Sequence, residues 1–401
     1  MNLSEPVAGL EIGTTHTSIA IGEPQKDGRL KVAIIESIPS SGVRKSQITD
    51  LAQARYSVES VLKKLVEQSD YAIGQAFLAV TGPQIRATPK TTTRQLERGV
   101  VYEEDLDEIE NSSYDLNLAA DRYPIELSQI SYGLDDLDGI LSPKDMSGQL
   151  LSLKSLCIHG SKQRVTDAKN AARAAKLDIT DVCFAGTCAA TAVLSSQQKR
   201  DGALVIDLGG GSTSYTVWTN GKLVHAGVIG VGGDHVTSDI RIAFSISQAQ
   251  AEQLKVSAAS ATIRSEDATS RIPVPSPMPG FKAASISRRA LNTVVNARMQ
   301  ELFTIIRTKL DEANLLHELH AGVFLTGGGS ALANVIPLAA SVFGCGVQIG
   351  TIIPEVFGLE QFTNPAAQAT LIGLLLQAQI GTPEQTHFMD WIHNMFGGKK
   401  K

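Results

Sequence analysis

One pattern that occurs twice decides the fold: VAGLEIGTTHTSIAIGE at 7–23 and ALVIDLGGGSTSYTVW at 203–218. Each copy has an apolar strand carrying an acidic residue, a turn of glycine and hydroxyl residues, and a second strand. A third junction from a strand to glycines, VFLTGGGSAL, follows at 323–332. Two equivalent hairpins predict a duplicated α/β fold with a ligand cleft between its halves.

The two turns have the composition of a phosphate cradle. Glycine lets an anion approach the backbone, and N–H groups and hydroxyls then surround phosphate oxygens. Neither turn ends in Gly-Lys-Ser/Thr, and neither leads into a helix followed by a ribose-binding acid, so Walker and dinucleotide sites are disfavoured. If only one such turn were present, a hairpin turn with no ligand would explain it equally well. The candidate phosphate ligands are Gly13, Thr14, Thr15 and Thr17 in the first turn and Gly209, Gly210, Gly211, Ser212 and Thr213 in the second.

Asp207 ends the strand before the second turn, where its carboxylate could hold Mg²⁺ through water. Asp207 is thus the candidate metal ligand. Glu11 occupies the equivalent strand of the first copy, and we take both acids as candidates for positioning the metal and a water molecule.

The rest of the chain alternates between helical and strand patterns. Apolar spacing predicts helices over 50–66 and 291–310, and Asn-Pro at 364 precedes another. From 85 to 160 the pattern changes, and we interpret this part as a small inserted α+β subdomain. Its acidic run at 103–110 is expected to be a solvated helix face, with a partner-binding edge as the alternative. The proline-rich stretch at 270–280 is expected to be a loop.

The composition is that of a globular protein, with 401 residues, 43% of them hydrophobic and 19% charged. A net charge of -5 argues against nucleic acid as the partner. No signal peptide or membrane-spanning run is recognisable, so we expect a cytoplasmic location. The four cysteines lack a framework spacing and are expected to be reduced, although Cys183 and Cys188 could form half of a metal site.

The last residues, HFMDWIHNMFGGKKK at 387–401, have an apolar helical face followed by three lysines. An aromatic face with a cationic flank is typical of a helix on a bilayer surface, although such a stripe could instead dock on the protein's own core. The candidate membrane-binding residues are Phe388, Trp391, Ile392, Met395, Phe396, Lys399, Lys400 and Lys401.

These motifs together resemble the actin-like ATPase superfamily, and within it the FtsA family of bacterial division proteins. GLEIGTTHT (9–17) and VIDLGGGSTS (205–214) are similar to the two phosphate loops, and LTGGGSALANV (325–335) to the adenosine motif. TCAATAVL (187–194) and NPAAQATLIGLLL (364–376) match the two connecting helices. GGDHVTSDIRIAF (232–244), MSGQLLSLKSLCIHGS (146–161) and ISRRALNTVVNARMQELFTIIR (286–307) are specific to the family.

The resemblance implies an actin-like fold that binds ATP and Mg²⁺. It places Glu252 and Lys255 beside the adenosine, although a surface helical pair would also explain them. It places Gly327, Gly328 and Gly329 against the sugar and phosphates. The expected divisions are 1–84 for the first half, 85–160 for the inserted subdomain, 161–200 with the first connecting helix, 201–362 for the second half, 363–381 for the second connecting helix, and 382–401 for the spacer and membrane helix.

Three positions depart from the family pattern. Glu11 and Ser214 replace aspartates, and Ala185 replaces a glutamate before the first connecting helix. Backbone N–H groups would still bind phosphate, whereas hydrolysis needs a group that orients and deprotonates water. We therefore expect slow or negligible ATPase activity.

The function implied is an ATP-dependent filament that ties FtsZ to the inner face of the cell membrane at the division site. Its partners would be FtsZ, further copies of itself and the membrane surface. The alternatives are a related scaffold such as the PilM pilus assembly protein, or a phosphotransfer enzyme of the same fold.

Overall fold

The computed structural model describes residues 5–275 and 285–380, except for the side chain of Ile380. Within these residues the strands are β1 (Val7–Ile12), β2 (His16–Pro24), β3 (Leu30–Pro39), β4 (Val43–Arg44), β5 (Gln47–Ile48), β6 (Gln75–Val80), β7 (Arg86–Gln95), β8 (Arg122–Leu134), β9 (Leu137–Ile140), β10 (Leu150–Ser161), β11 (Asp178–Phe184), β12 (Ala203–Leu208), β13 (Thr213–Thr219), β14 (Lys222–Ile229), β15 (Arg271–Pro273), β16 (Ser285–Ser287), β17 (Gly322–Thr326), β18 (Val347–Ile349) and β19 (Val356–Phe357). The α-helices are α1 (Leu51–Gln68), α2 (Glu103–Ser113), α3 (Lys162–Ala174), α4 (Ala185–Val193), α5 (Ser196–Asp201), α6 (Gly233–Phe244), α7 (Gln248–Ala258), α8 (Arg288–Glu312), α9 (Val335–Phe343) and α10 (Ala369–Ile380).

Two large sheets repeat one strand order. The first sheet runs β11-β6-β1-β2-β3-β19, and the second runs β18-β17-β12-β13-β14. In both, the central hairpin is antiparallel and its first strand pairs with a parallel neighbour on the other side. In both, the third strand of the meander is antiparallel as well. The duplication predicted from the two hairpins is confirmed.

Each half builds its core from the apolar sides of its sheet and helices. Helix α1 begins after Asp50, whose carboxylate accepts a hydrogen bond from the Gln53 N–H at 3.0 Å, and it buries Val58, Val61 and Leu65. In the second half, α8 presents a long apolar stripe that includes the fully buried Phe303. The first core also takes in Ala203, Val205 and Phe324 of the second half, so the two halves share apolar packing where they meet.

Two helices join the halves and pack directly against each other. Helix α4 follows β11 and α10 ends the described chain, and both lie deep in the protein. A Cβ on Gly373 would overlap the Cys188 carbonyl oxygen, so only glycine permits this close crossing. Both segments are helical as predicted, but α4 begins at Ala185, and the turn at Pro365–Gln368 is a 3₁₀ helix preceding α10.

Residues 85–160 hold a separate antiparallel sheet in the order β7-β10-β8-β9. Helix α2 packs on this sheet through Ile109, which joins Leu134, Leu151 and Leu153 in a small core of its own. The acidic run is thus helical as predicted. Its carboxylates also pair with basic residues of this region, as in the 2.9 Å contact between Asp105 Oδ1 and Arg94 Nε.

One local prediction was wrong. The stretch 270–280 was expected to be a loop throughout, but Arg271–Pro273 forms β15 and pairs with β16. Ile272 is buried in the core of the second half, and that burial holds the strand in place. Residues 276–284 lie outside the described residues.

Candidate functional site

The first glycine turn joins β1 to β2. The Gly13 N–H donates to the His16 carbonyl at 2.9 Å, and a Cβ at Gly13 would lie 2.8 Å from that oxygen. The turn therefore needs glycine at this position. Thr15 is exposed at the tip, whereas Thr17 is fully buried and its Oγ1 lies 2.8 Å from Ser40 Oγ. Thr17 supports the turn from below and does not form part of its exposed surface.

The second turn joins β12 to β13 and rests on the start of α6. The Gly233 and Asp234 N–H groups donate to the carbonyls of Gly209 and Gly210, both at 2.9 Å. The Thr213 hydroxyl is fully buried and donates to the Val231 carbonyl at 2.8 Å. The turn is therefore held by the backbone on one side, while Gly210 and Gly211 face the first half.

The two turns meet at the cleft. A Cβ at Gly210 would lie 2.5 Å from Thr15 Cγ2, and one at Gly211 would overlap Thr14 Oγ1. The structure thus brings together candidate residues that the sequence separates by about two hundred positions. The two turns therefore lie in direct contact across the junction of the halves.

Two carboxylates lie beneath the turns. Burial, followed by the negative charge of Asp207, raises the pKa of Glu11 to about 8. Burial also raises the pKa of Asp207 to about 6, although hydroxyl groups of Thr370 and Thr326, at 3.3 and 3.4 Å, act in the opposite direction. Both residues are half-buried, and a divalent cation would stabilise the two acids as anions, so their chemistry is compatible with Mg²⁺.

The predicted adenosine residues surround the start of α6. Lys255 Nζ lies 2.7 Å from Glu252 Oε2 and donates to Thr237 Oγ1 at 2.9 Å and to the Gly233 carbonyl at 3.2 Å. The side chain of Lys255 is 17% exposed and that of Glu252 is 48% exposed, so only the lysine is largely buried. Glu252 and Lys255 thus lie directly beside the second turn.

The third glycine run lies against the same strand end. Gly327 has φ +77°, and a Cβ there would lie 2.5 Å from Asp207 Oδ1. A Cβ at Gly329 would lie 2.7 Å from the Leu208 Cβ, whereas Gly328 has open space around it. The glycines therefore let this backbone approach Asp207 closely. At Gly328 the backbone has open space beside it.

Two of the departures from the family pattern have packing reasons. Ser214 Oγ lies 2.8 Å from Thr81 Oγ1, so a hydrogen bond links the two halves where a carboxylate was expected. Ala185 is 1% exposed among Phe77, Ala79 and Cys183, where a glutamate side chain would bury its charge in apolar surroundings.

Sequence reasoning missed one element that reaches both turns. The hairpin of β4 and β5 places Ser46 between them, with its Oγ 2.8 Å from Ser212 Oγ and its N–H donating to Thr14 Oγ1 at 2.7 Å. The stretch VRKSQI contains no glycine or asparagine, so no turn signal marked it. Thr326 and Thr370, which bond to Asp207, lie within the third glycine motif and the second connecting-helix motif, but the sequence analysis did not single them out.

Several predictions fall on other parts of the chain. The candidate membrane residues at 388–401 lie outside the described residues. None of the helices in 5–275 and 285–380 has the length and hydropathy to cross a bilayer. All four cysteines are free, and the described residues contain no cluster of three or more metal-ligating side chains, so Cys183 and Cys188 form no metal site of that kind.

Comparison with known proteins gives two matching family models. The model described as "Cell division protein FtsA" matches residues 204–373. The model described as "Type IV pilus assembly protein PilM" matches residues 9–262.

Curated relatives match along almost the whole chain. The cell division protein FtsA of Pseudomonas aeruginosa is 28% identical over 371 residues, covering 92% of this chain and 88% of that protein. The FtsA of Escherichia coli K12 is 27% identical and covers 92% and 89%, and that of Bacillus subtilis is 28% identical and covers 90% and 81%.

Solved structures share the fold at low sequence identity. A PilM–PilN pilus biogenesis complex matches with a TM-score of 0.64 at 14% identity, covering 93% of this chain and 98% of that one. MreB5 of Spiroplasma citri bound to ADP matches with a TM-score of 0.58 at 14% identity, covering 99% and 100%. The duplicated sheets and the facing glycine turns define an actin-like protein. The relatives along nine-tenths of the sequence then give the particular group: this chain is a homologue of FtsA cell division proteins.

Proposed function

We propose that this protein is a nucleotide-gated, filament-forming adaptor that ties FtsZ to the cytoplasmic face of the cell membrane. The observation that carries the proposal is the meeting of two hydroxyl-glycine turns from matched halves, above the Glu11–Asp207 pair. The similarity to FtsA proteins supports cell division as the setting.

The proposed ligand of the cleft is ATP with Mg²⁺. Backbone N–H groups and hydroxyls of Thr14, Thr15 and the 210–212 turn would hold the phosphates, and Asp207 with Glu11 would hold the hydrated cation. Mg²⁺ would neutralise phosphate charge when bound. The MreB5 structures contain ADP or AMPPNP, which supports a nucleotide in this fold.

Hydrolysis is proposed to be slow. Ser214 is occupied by its hydrogen bond to Thr81, and Ala185 is buried among apolar side chains, so neither can deprotonate a water molecule. Turnover below about 1 per second is therefore expected.

The membrane contact is proposed for the segment 387–401, whose apolar spacing predicts an amphipathic helix. Partial burial of its apolar face and roughly 1 kcal/mol per lysine would give weak binding for one subunit. A filament would convert later contacts into intramolecular ones, so that attachment becomes firm only after assembly.

The test is sedimentation of the full chain with anionic vesicles and FtsZ, with and without ATP and Mg²⁺. Trp391→Glu places a charge on the apolar face and should release the protein. Asn394→Glu places the same charge on the polar face and should not. If Trp391→Glu sediments as strongly as the parent, the membrane role is refuted.

A second candidate is a PilM-like pilus scaffold, which the family model over 9–262 favours. Co-sedimentation of FtsZ supports the division adaptor. Absence of FtsZ binding, with binding to a PilN-type peptide instead, would favour the scaffold. A phosphotransfer enzyme would show turnover that rises when small hydroxyl acceptors are added.

A further inference from the structure

The phosphate cradle as described lacks a positive charge. The two turns, GTTHT and GGGST, contain neither lysine nor arginine, and the acids Glu11 and Asp207 lie beneath them. Lys255 is already paired with Glu252 at 2.7 Å. Phosphate groups are usually bound by charge-assisted hydrogen bonds from a cation as well as by neutral donors. A phosphate-binding cation would therefore have to come from another part of the chain.

The hairpin of β4 and β5 brings a lysine to this place. Val43 pairs with Ile48 and Arg44 with Gln47, which leaves Lys45 and Ser46 as a two-residue turn. Their φ angles are +48° and +57°, as in a type I′ turn, where glycine and asparagine are favoured. A turn made of residues with side chains at both positions is conformationally costly, so the surrounding contacts hold it in place.

Those contacts are with both phosphate turns. Ser46 bonds to Thr14 on one side and Ser212 on the other. A Cβ at Gly211 would lie 2.9 Å from Lys45 Cα and 3.0 Å from Ser46 N, so the tip lies directly against the second turn. The Ser46 hydroxyl therefore occupies the gap that a phosphate oxygen would need.

The charge of Lys45 is available at the cleft. Lys45 is exposed and has no ion-pair or hydrogen-bond partner in 5–275 or 285–380. Burial lowers the pKa of His235, and the positive charge of Lys45 lowers it further. The Lys45 ammonium group is thus close enough to the start of α6, beside the second turn, to act on a residue there.

We propose that the tip Lys45–Ser46 is a third phosphate-binding element, in which Lys45 supplies the cation for the terminal phosphate of a nucleoside triphosphate. Ser46 closes the gap between the turns and is displaced when that phosphate enters. This inference rests on the proposed binding of nucleotide in the cleft. It adds the residue that distinguishes a triphosphate from a monophosphate.

The experiment measures dissociation constants of the full chain for ATP, ADP and AMP in the presence of Mg²⁺. Lys45→Gln should weaken ATP binding about tenfold or more, the lower range for a hydrogen bond to a charged group. The same variant should change the dissociation constant for AMP by less than about twofold. AMP lacks the terminal phosphate, so the charge of Lys45 would act on it only from a distance, where salt screens it. Lys45→Arg should keep the preference for ATP. Arg44→Gln removes an equal charge one residue away and should leave the preference unchanged.

The outcomes separate this inference from the proposed function. If the parent protein binds none of the three nucleotides, the proposed function fails and the inference fails with it. If the parent binds ATP and Lys45→Gln keeps the parent ratio of ATP to AMP affinity, only the inference is overturned. An equal loss in Arg44→Gln would overturn it too, because a general field and not the hairpin tip would then be responsible.

Discussion

Replacing Glu11 by glutamine tests whether two acids are held together beneath the turns. In the folded protein the pKa of Glu11 is raised from 4.5 to about 8, mainly by burial and then by Asp207. Below pH 4.5 the group is protonated in both the folded and the unfolded chain. As the pH rises from 4.5 to 8, the unfolded chain loses this proton first, so the folded state loses stability over that window.

The magnitude follows from the same values. The rise from 4.5 to about 8 corresponds to about 5 kcal/mol in the free energy of unfolding. Glu11 is only half-buried and lines a small cavity with Thr81 and Gln84, so contact with solvent relieves part of the dehydration. We therefore expect Glu11→Gln to be more stable than the parent by about 2–3 kcal/mol at pH 8, and nearly equal to it at pH 5.

The assay is urea unfolding at pH 5, 6.5 and 8 without nucleotide or Mg²⁺. Glu23→Gln is the matched control in the adjacent strand β2. The pKa of Glu23 is lowered by its hydrogen bonds from Tyr71 and Lys31, so this carboxylate stabilises the fold above its unfolded pKa and loses that contribution as the pH falls. Glu23→Gln should therefore be less stable than the parent at pH 8. A pH-independent difference for Glu11→Gln would refute the reasoning.

Three further predictions concern glycines and the inserted sheet. Gly210→Val should abolish binding of labelled ATP without unfolding the protein, because the new side chain would lie against Thr15 between the turns. The control Gly74→Val should bind ATP normally, since a side chain at Gly74 meets open space. Gly373→Ala should lower the free energy of unfolding by about 3 kcal/mol or more in chemical denaturation, since the methyl group overlaps the Cys188 carbonyl, whereas Gly346→Ala should change little. Deleting 85–160 and rejoining the chain should leave nucleotide binding but remove the filaments seen by electron microscopy. The two ends can be joined because Arg86 and His159 are paired on adjacent strands. Unchanged filaments would contradict it.

The sequence by itself determined the features that depend on local pattern. Alternating apolar residues around glycine turns predicted β1–β2 and β12–β13, and helical spacing predicted α1 and α8. The likeness of the two hairpins predicted the duplication, because equal local patterns form equal local structures. The β15 strand escaped prediction, since the burial of Ile272 in a distant core outweighed the prolines around it.

Only the tertiary structure decided how the cleft is closed and charged. Ser46 and Ser212 are 166 residues apart, and Thr81 and Ser214 are 133 apart, yet each pair shares a hydrogen bond. The pKa of Glu11 likewise depends on Asp207, which belongs to the other half. Hydrogen bonds and dehydration act over a few ångströms in space, and no local pattern records which distant residues will come within that distance.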